Sequence, residues 1–502
     1  MKHSRLDAKV HESQNLLAQV LGQLRAEFDL PLDFPPAVIA EAEQAVSGQV
    51  LPAPDLTGLP FVTIDPPGST DLDQAMYLER AEARYRVWYA TADVPSFVVP
   101  GSALDAETRR RGQTLYVPDG RIPLHPEIIS EDAGSLLPGR GRAAFVWEFG
   151  LDPEAAVQSV ALGRATVRSQ AKLSYAEVQQ DIDSGEAPEY LLLLKEIGLK
   201  RLELERRRGG ASLNIPDQEI AHDGRHYFIV SSPPLPVEDW NAQISLMTGM
   251  AAAQLMIEAG VGILRTLPAP DAGAGAHFRR QTRALDHPWA EDVPYGEYLR
   301  GLDASDPKHL ALLHAAASLF RGAGYTAFDG RIPEDKLQSA IAAPYAHTTA
   351  PLRRLVDRFV LVICEAHCAG TEVPQWARDA LPELPRLMAA SDQLAARVDR
   401  AAFDAVQAAL LSHRVGEVFD AVVISGSRPG NGHPAGNGNN GGSSNGGSGN
   451  GNGPAGTIQL RSPAATGRCY GVLEPGTPVR ARLIEADIAA RAIRFEHDGA
   501  VP

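Results

Sequence analysis

The chain has 502 residues, of which 44% are hydrophobic and 22% charged, and its formal net charge is −15. This length predicts two or three domains, and the composition is that of an ordinary globular protein. The acidic balance argues against a protein that coats nucleic acid electrostatically, but it leaves room for an enzyme with one local basic channel. No apolar run reaches about 18 residues, and three cysteines do not make a disulfide framework. We therefore expect a cytoplasmic protein without a membrane partner.

The first segment, residues 1–52, is predicted to be a small helical module. Apolar residues recur at three- and four-residue steps from Val10 to Phe28, and a proline-rich break at 30–36 precedes a second short helix. Two helices joined in this way fit a helix-turn-helix-like module. The alternative is a helical pair that simply docks on the main domain.

Residues 61–76, FVTIDPPGSTDLDQAM, combine a buried-strand pattern with a cluster of carboxylates. Asp65 ends the strand, and Asp71 and Asp73 follow a Pro-Pro-Gly turn. Crowded carboxylates without a counter-charge repel each other, and oxygen ligands of this kind suit magnesium. The alternative is a polar, Asp-rich turn without function.

Residues 345–357, YAHTTAPLRRLVD, form the second motif. Pro351, followed by apolar residues at helical spacing, predicts that a helix begins there. Arg353 and Arg354 would then lie beside free backbone N–H groups, where a phosphate can bind.

The remaining pattern is mixed. A hairpin is predicted at 75–79 and 85–93, and helices at 191–208 and 387–411. The segment from 413 to 502 is rich in strand patterns, interrupted by a Gly/Asn/Ser insertion at 427–456 that predicts flexible coil. One small OB-type barrel with a disordered insertion is the simplest interpretation, and a linker between unrelated ends is the alternative.

TIDPPGSTDLDQA (63–75) and the second motif resemble the two signatures of the RNB family, which contains the ribonuclease II and ribonuclease R exonucleases. The resemblance covers residues 55 to about 412. It implies an α+β protein: a helical module at 1–52, a large mixed α/β RNB catalytic domain at 53–412, and an OB-fold RNA-binding domain at 413–502. The chain departs from the family at Gln74, which replaces a usual aspartate, at Ala350 and Leu355, and at Asp399, which replaces a glutamate.

The resemblance also implies roles for individual residues. Asp73 and Arg353 would be catalytic, and Mg²⁺, with Mn²⁺ as a substitute, would be held by Asp65, Asp71, Asp73 and Gln74. RNA would contact Tyr116, His347, Thr348, Arg353, Arg354 and Asp399.

The function implied is that of a monomeric, processive 3′→5′ exoribonuclease that converts single-stranded RNA to nucleoside 5′-monophosphates. A short N-terminal segment would leave an open entrance and admit duplexes with a 3′ overhang. One alternative is a catalytically impaired RNA-binding protein on the same fold. Another, suggested by the acidic loop alone, is a metal-dependent phosphatase of small molecules; the OB-like segment and the second motif argue against it.

Overall fold

The computed structural model describes residues 3–118, 120–211, 217–222, 227–232, 234–317, 319, 322–426, 454–463 and 465–500. The helices are α1 (His3–Glu27), α2 (Pro36–Ser47), α3 (Ala103–Arg111), α4 (Tyr175–Ser184), α5 (Glu189–Arg208), α6 (Pro236–Ala259), α7 (Ala272–Ala284), α8 (Tyr295–Arg300), α9 (Pro307–Ala317), α10 (Leu355–Ala369), α11 (Gln375–Ala380) and α12 (Leu384–Leu411). The first ten strands are β1 (Phe61–Ile64), β2 (Gln74–Ala81), β3 (Arg84–Ala92), β4 (Leu115–Val117), β5 (Gly120–Ile122), β6 (Arg142–Leu151), β7 (Val157–Val167), β8 (Ser169–Leu173), β9 (Asp217–His222) and β10 (Tyr227–Ser232). The others are β11 (Val261–Thr266), β12 (Gly324–Asp329), β13 (Leu337–Gln338), β14 (Ala343–Pro344), β15 (Val418–Ser425), β16 (Ala455–Leu460), β17 (Thr466–Tyr470), β18 (Pro478–Asp487) and β19 (Ala492–Ala500).

The part of the chain between α2 and α12 is organised on a six-stranded mixed sheet in the order β7-β6-β3-β2-β1-β8. The predicted hairpin is confirmed, because β2 and β3 pair antiparallel from Gln74 opposite Thr91 to Ala81 opposite Arg84. Strand β1 is buried along its whole length and runs parallel to β8. The chain leaves the sheet at the end of β1 and returns to it at Gln74, the first residue of β2. The acidic loop therefore lies at the end of these two inner strands.

Helices α5, α6 and α10 pack on this sheet around the largest hydrophobic cluster, to which they contribute residues such as Leu194, Met247 and Phe359. Helix α5 confirms the helix predicted at 191–208, and α12 confirms the one predicted at 387–411. Helices α7 to α9 surround a smaller cluster built on Phe278 and Tyr298. In the part of the chain that the structure describes, no helix is both long and apolar enough to span a bilayer.

The two N-terminal helices dock on different parts of the protein. The apolar face of α1, with Leu17 and Leu21, packs on α12, and Glu27 accepts two hydrogen bonds from Arg491 in the β18–β19 turn. Helix α2 instead packs on α3 and buries Val38 in a separate hydrophobic cluster. The observed packing is that of helices docked on the main body, and the boundary at residue 52 stays a prediction.

The C-terminal region is a closed barrel in the order β15-β16-β17-β19-β18. Its interior contains alternate residues of each strand, including Ala421, Ile458 and Phe495. This barrel, with the mixed sheet and its helices, confirms the predicted α+β fold class. Residues 427–453 of the predicted insertion lie outside the described residues, and its bounds stay a prediction; β16 begins at Ala455, within the last two residues of that segment.

Candidate active site

The acidic loop is tied to the neighbouring parallel strand. The Asp65 backbone N–H donates to the Leu173 carbonyl, and the Lys172 ammonium donates to the Pro67 and Ser69 carbonyls, each at 2.6 Å. These contacts hold the Pro-Pro-Gly turn against the end of β8. The loop therefore presents its carboxylates from a fixed backbone.

One cavity of about 620 Å³ is lined by all four predicted metal ligands. Its other lining residues include two tyrosines and two arginines from three further segments: Tyr116 and Arg121, Tyr175, and Arg353. The structure thus brings the acidic loop together with Tyr116 and Arg353, as the sequence predicted.

Asp73 connects the two sequence motifs. Its side chain is buried, with Oδ1 accepting from the Leu352 N–H at 2.7 Å and Oδ2 accepting from Arg353 Nε at 3.2 Å. Burial raises the pKa of Asp73 to about 8, although the charge of Arg353 opposes this shift. The carboxylate positions Arg353 at the edge of the cavity.

Asp71 has a partner that the sequence analysis missed. Its oxygens accept from Arg121 Nη1 at 2.9 Å and from the Tyr116 hydroxyl at 3.1 Å. Arg121 also pairs with Glu131 at 2.5 Å. The sequence shows only a single arginine in the segment after Tyr116. No motif or spacing in the sequence relates this arginine to residue 71, so the contact could not be predicted.

Asp65 and Gln74 carry the unsatisfied oxygens of the site. Asp65 Oδ2 and Gln74 Oε1 are buried without a hydrogen-bond partner. Burial also raises the pKa of Asp65 to about 6, against the opposing charges of Arg353 and Lys172. Orphaned oxygens and crowded carboxylates of this kind fit a hard divalent cation.

The oxygens of Asp71 and Asp73 already accept hydrogen bonds from arginines. Consistent with this, no three His, Cys, Asp or Glu side chains among the described residues converge as a ready metal-binding group. The oxygen-bearing residues of the cavity are therefore of the types that bind a divalent cation. Which of them would bind it stays a prediction.

The start of the second-motif helix was predicted wrongly. Helix α10 begins at Leu355, with Arg354 as an extended N-cap residue, rather than at Pro351. The cause is tertiary pairing, because Arg354 forms a β-bridge with Gln113 and the Thr114 N–H donates to the Arg353 carbonyl. Arg354 consequently lies on extended backbone just before the helix, and Arg353 lies at the end of the turn that precedes it.

The two arginines have different environments. The Arg353 side chain is 49% exposed, whereas Arg354 donates from Nε and Nη2 to Asp357, which is completely buried. Arg353 and Tyr116 also line a second cavity of about 400 Å³, together with Arg354 and Asp399. The two cavities share Tyr116 and Arg353 in their linings, and we refer to them together as the cleft. Most of the predicted site residues line this cleft.

His347 and Thr348 lie elsewhere. His347 Nδ1 is 2.7 Å from the Tyr325 hydroxyl, and burial lowers its pKa well below the usual value. Thr348 is completely buried. Neither side chain is among the described residues that line the two cavities, so their RNA contacts stay predictions.

The different environments of Arg353 and Arg354 predict that replacing them lowers the stability of the protein by different amounts. Arg354→Ala should lower the free energy of unfolding by about 3–5 kcal/mol, because it leaves the Asp357 carboxylate buried without its partner. Arg353→Ala is the matched control and should cost clearly less, because the half-exposed Arg353 makes one hydrogen bond to Asp73 at 3.2 Å, whereas Arg354 makes two to Asp357. Urea denaturation of both variants measures the difference, and equal losses would contradict the distinction.

The RNB domain matches residues 54–369, and the RNase II-type exonuclease C-terminal S1 domain matches residues 417–498. Fold, site and sequence therefore agree, and the chain belongs to the RNB domain family. It is 28% identical over 342 residues to human "Exosome complex exonuclease RRP44", covering 64% of this chain and 35% of that protein. It is 27% identical over 414 residues to "Ribonuclease R" of Escherichia coli, covering 76% and 49% respectively. The chain thus spans about a third to a half of the length of these relatives.

Solved structures support the same fold. Mycoplasma genitalium RNase R in complex with ribose methylated single-stranded RNA superposes with a TM-score of 0.81, at 18% identity, over 95% of this chain and 77% of the other. Yeast Ssd1, described as a pseudonuclease, superposes with a TM-score of 0.61, at 17% identity, over 79% and 50%.

Proposed function

We propose that this chain is a 3′→5′ exoribonuclease that hydrolyses single-stranded RNA to nucleoside 5′-monophosphates with Mg²⁺ or Mn²⁺. The observation that carries the proposal is the Asp73–Arg353 pair at the junction of the two cavities. On one side lie the carboxylates of the acidic loop and on the other Arg354 and Asp399, while Tyr116 lines both cavities. Its membership of the RNB family gives the reaction class.

Each residue has a role that its environment supports. Arg353, held by Asp73 and half exposed, would bind the scissile phosphate and stabilise the charge that develops there. Tyr116, which is 53% exposed, offers a ring on which a base can stack. Asp399 offers a carboxylate to the hydroxyls of the terminal ribose, which is how a site distinguishes RNA from DNA.

Asp65, Asp71, Asp73 and Gln74 would hold the cation. When bound, a divalent cation neutralises phosphate charge and makes a water molecule nucleophilic. The water oxygen bonds to phosphorus, the bond to the 3′-oxygen breaks, and that oxygen takes up a proton. Residues 65 and 74 each supply an oxygen that has no hydrogen-bond partner. Asp71 would bind the cation only if its ion pair with Arg121 is broken.

The second candidate is a catalytically impaired RNA-binding protein. It is favoured by the neutral Gln74 and by the ion pair between Asp71 and Arg121 at 2.9 Å, which together reduce the charge offered to a cation. The likeness to a pseudonuclease supports only the fold on which this candidate rests.

A 5′-labelled single-stranded RNA separates these candidates. With Mg²⁺, the enzyme should shorten the RNA from its 3′ end and release nucleoside 5′-monophosphates, and chelation should leave binding without cleavage. A DNA of the same sequence is the control substrate, and a hairpin with a 3′ overhang tests entry into duplexes. Binding without shortening at any Mg²⁺ or Mn²⁺ concentration would select the RNA-binding candidate. A monomeric state and a cytoplasmic location stay predictions.

The departure at residue 74 predicts a specific metal dependence. Gln74→Asp should lower the Mg²⁺ concentration needed for half-maximal cleavage, because a carboxylate adds negative charge and a second oxygen to the donor set. Titrating Mg²⁺ in single-turnover cleavage and in calorimetric binding measures the change. Gln19→Asp, at an exposed position on α1, is the control for added charge. Superimposable curves for Gln74→Asp and the wild type would place residue 74 outside the metal site.

A further inference from the structure

A separate cavity of about 530 Å³ lies between α5, α6 and β7. Its lining shares no residue with the cleft described above. Its volume is within the range of small-molecule sites, which are about 300–1,000 Å³. The RNA-cleaving chemistry proposed for the chain makes no use of it.

Most of the cavity wall is apolar. Val157 and Val160 contribute from β7, Leu204 from α5, and Met247 and Met250 from α6. Methionine side chains are flexible and polarisable, so such a wall adapts to apolar ligands of different shape. This wall favours a ligand with an apolar body.

The polar end of the cavity is formed by arginines of α5. Arg201 is only 4% exposed; its Nη1 donates to the Ala155 carbonyl at 3.1 Å, but its Nε has no hydrogen-bond partner. Arg208, two turns further along the same helix face, also lines the cavity and has an unpaired, buried Nε. The intervening Glu205 accepts from Gln243 Nε2 at 2.6 Å. Burial lowers the pKa of both arginines and the charge of Glu205 opposes this shift, so one carboxylate is shared between two guanidinium groups.

Unsatisfied guanidinium N–H groups at a buried position are costly. An anion at this end of the cavity would accept hydrogen bonds from these guanidinium groups, because each offers donors in a fixed fork that suits carboxylate and phosphate. Burial lowers the pKa of Arg201 to about 10, so the side chain still carries its charge at neutral pH.

We propose that this cavity binds a small anionic amphiphile. Its carboxylate or phosphate head lies on Arg201 and Arg208, and its apolar body lies against the valines and methionines of the wall. A nucleotide fits this site less well, because the other polar residues in the lining are Gln254, Glu258 and Arg207, and Arg207 already donates to Glu203. Glu258 also lies 3.7 Å from His367, at the side of the cavity formed by α6.

Isothermal titration calorimetry of the full chain tests the proposal with decanoate and decyl phosphate, which differ only in the head group. At least one should bind, and Arg201→Met should weaken that binding roughly tenfold or more, as expected for a lost hydrogen bond to a charged group. Arg206→Met is the matched control, because Arg206 is on the same helix but pairs with Glu297 outside the cavity, and it should bind like the wild type.

Met250→Trp provides a second test, because it fills the cavity while leaving both arginines in place. It should abolish binding, and it decides the question if Arg201→Met does not fold. Failure of both anions to bind the wild type would overturn the proposal. Equal or tighter binding of decylamine, or Arg201-dependent binding of AMP in preference to the amphiphiles, would overturn it as well. The RNA cleavage assay is independent of all these outcomes.

Discussion

Asp73→Asn should reduce RNA cleavage to less than about one thousandth of the wild-type rate, with RNA affinity nearly unchanged. The carboxyl group has two roles that an amide cannot combine: it supplies negative charge when a cation binds in the acidic cavity, and it holds Arg353 through Oδ2. The amide still offers an oxygen to the Leu352 N–H, so the junction between the two motifs should remain folded. Affinity is spread over a cleft of many contacts and should survive.

Single-turnover cleavage and fluorescence anisotropy of labelled RNA measure the two effects separately. Asp335→Asn, at an exposed loop position, is the control for loss of a carboxylate and should cleave like the wild type. Near wild-type cleavage by Asp73→Asn would remove residue 73 from the catalytic site. A parallel collapse of the melting temperature would instead identify Asp73 as a structural residue.

Arg353→Ala should lower turnover by a factor of about 10²–10³, with a much smaller change in RNA affinity. The guanidinium is the half-exposed cation shared by both cavities, so its loss removes charge where the phosphate would lie. Arg353→Lys should recover only part of the rate, because an ammonium cannot make two parallel hydrogen bonds.

Turnover and RNA affinity should be measured on the same preparation of each variant, so that the two losses can be compared directly. Arg331→Ala, whose side chain is 89% exposed, controls for loss of an arginine. A turnover loss in Arg354→Ala as large as that in Arg353→Ala, without any loss of stability, would show that the two arginines share the role assigned to Arg353.

Much of the fold could be predicted from sequence because its elements have strong local periodicity. The β2–β3 hairpin, α5, α12 and four of the five barrel strands, all but β17, follow from patterns within short windows. The start of α10 could not, since the pairing of Arg354 with Gln113 overrides the helix signal of Pro351. The residue that fixes this backbone is more than two hundred positions away along the chain.

The candidate site shows the same division. Motifs identified Asp65, Asp71, Asp73 and Arg353, and the structure places all four around one cavity. The ion pair between Arg121 and Asp71 was missed because no periodicity connects the two positions. The burial of Thr348 was missed as well, since the motif describes residue types and not the packing around them.

The docking of α1 on α12 has a consequence for synthesis of the chain. The apolar face that contains Leu17 and Leu21 has its partners near Ala402 and Ala405, at the far end of the sequence. At ordinary translation rates, roughly tens of seconds pass between the emergence of the two surfaces from the ribosome. During that interval the apolar stripe of α1 has only earlier residues of the same cluster, such as Tyr227, to pack against, and we expect chaperones to bind the part that they leave exposed.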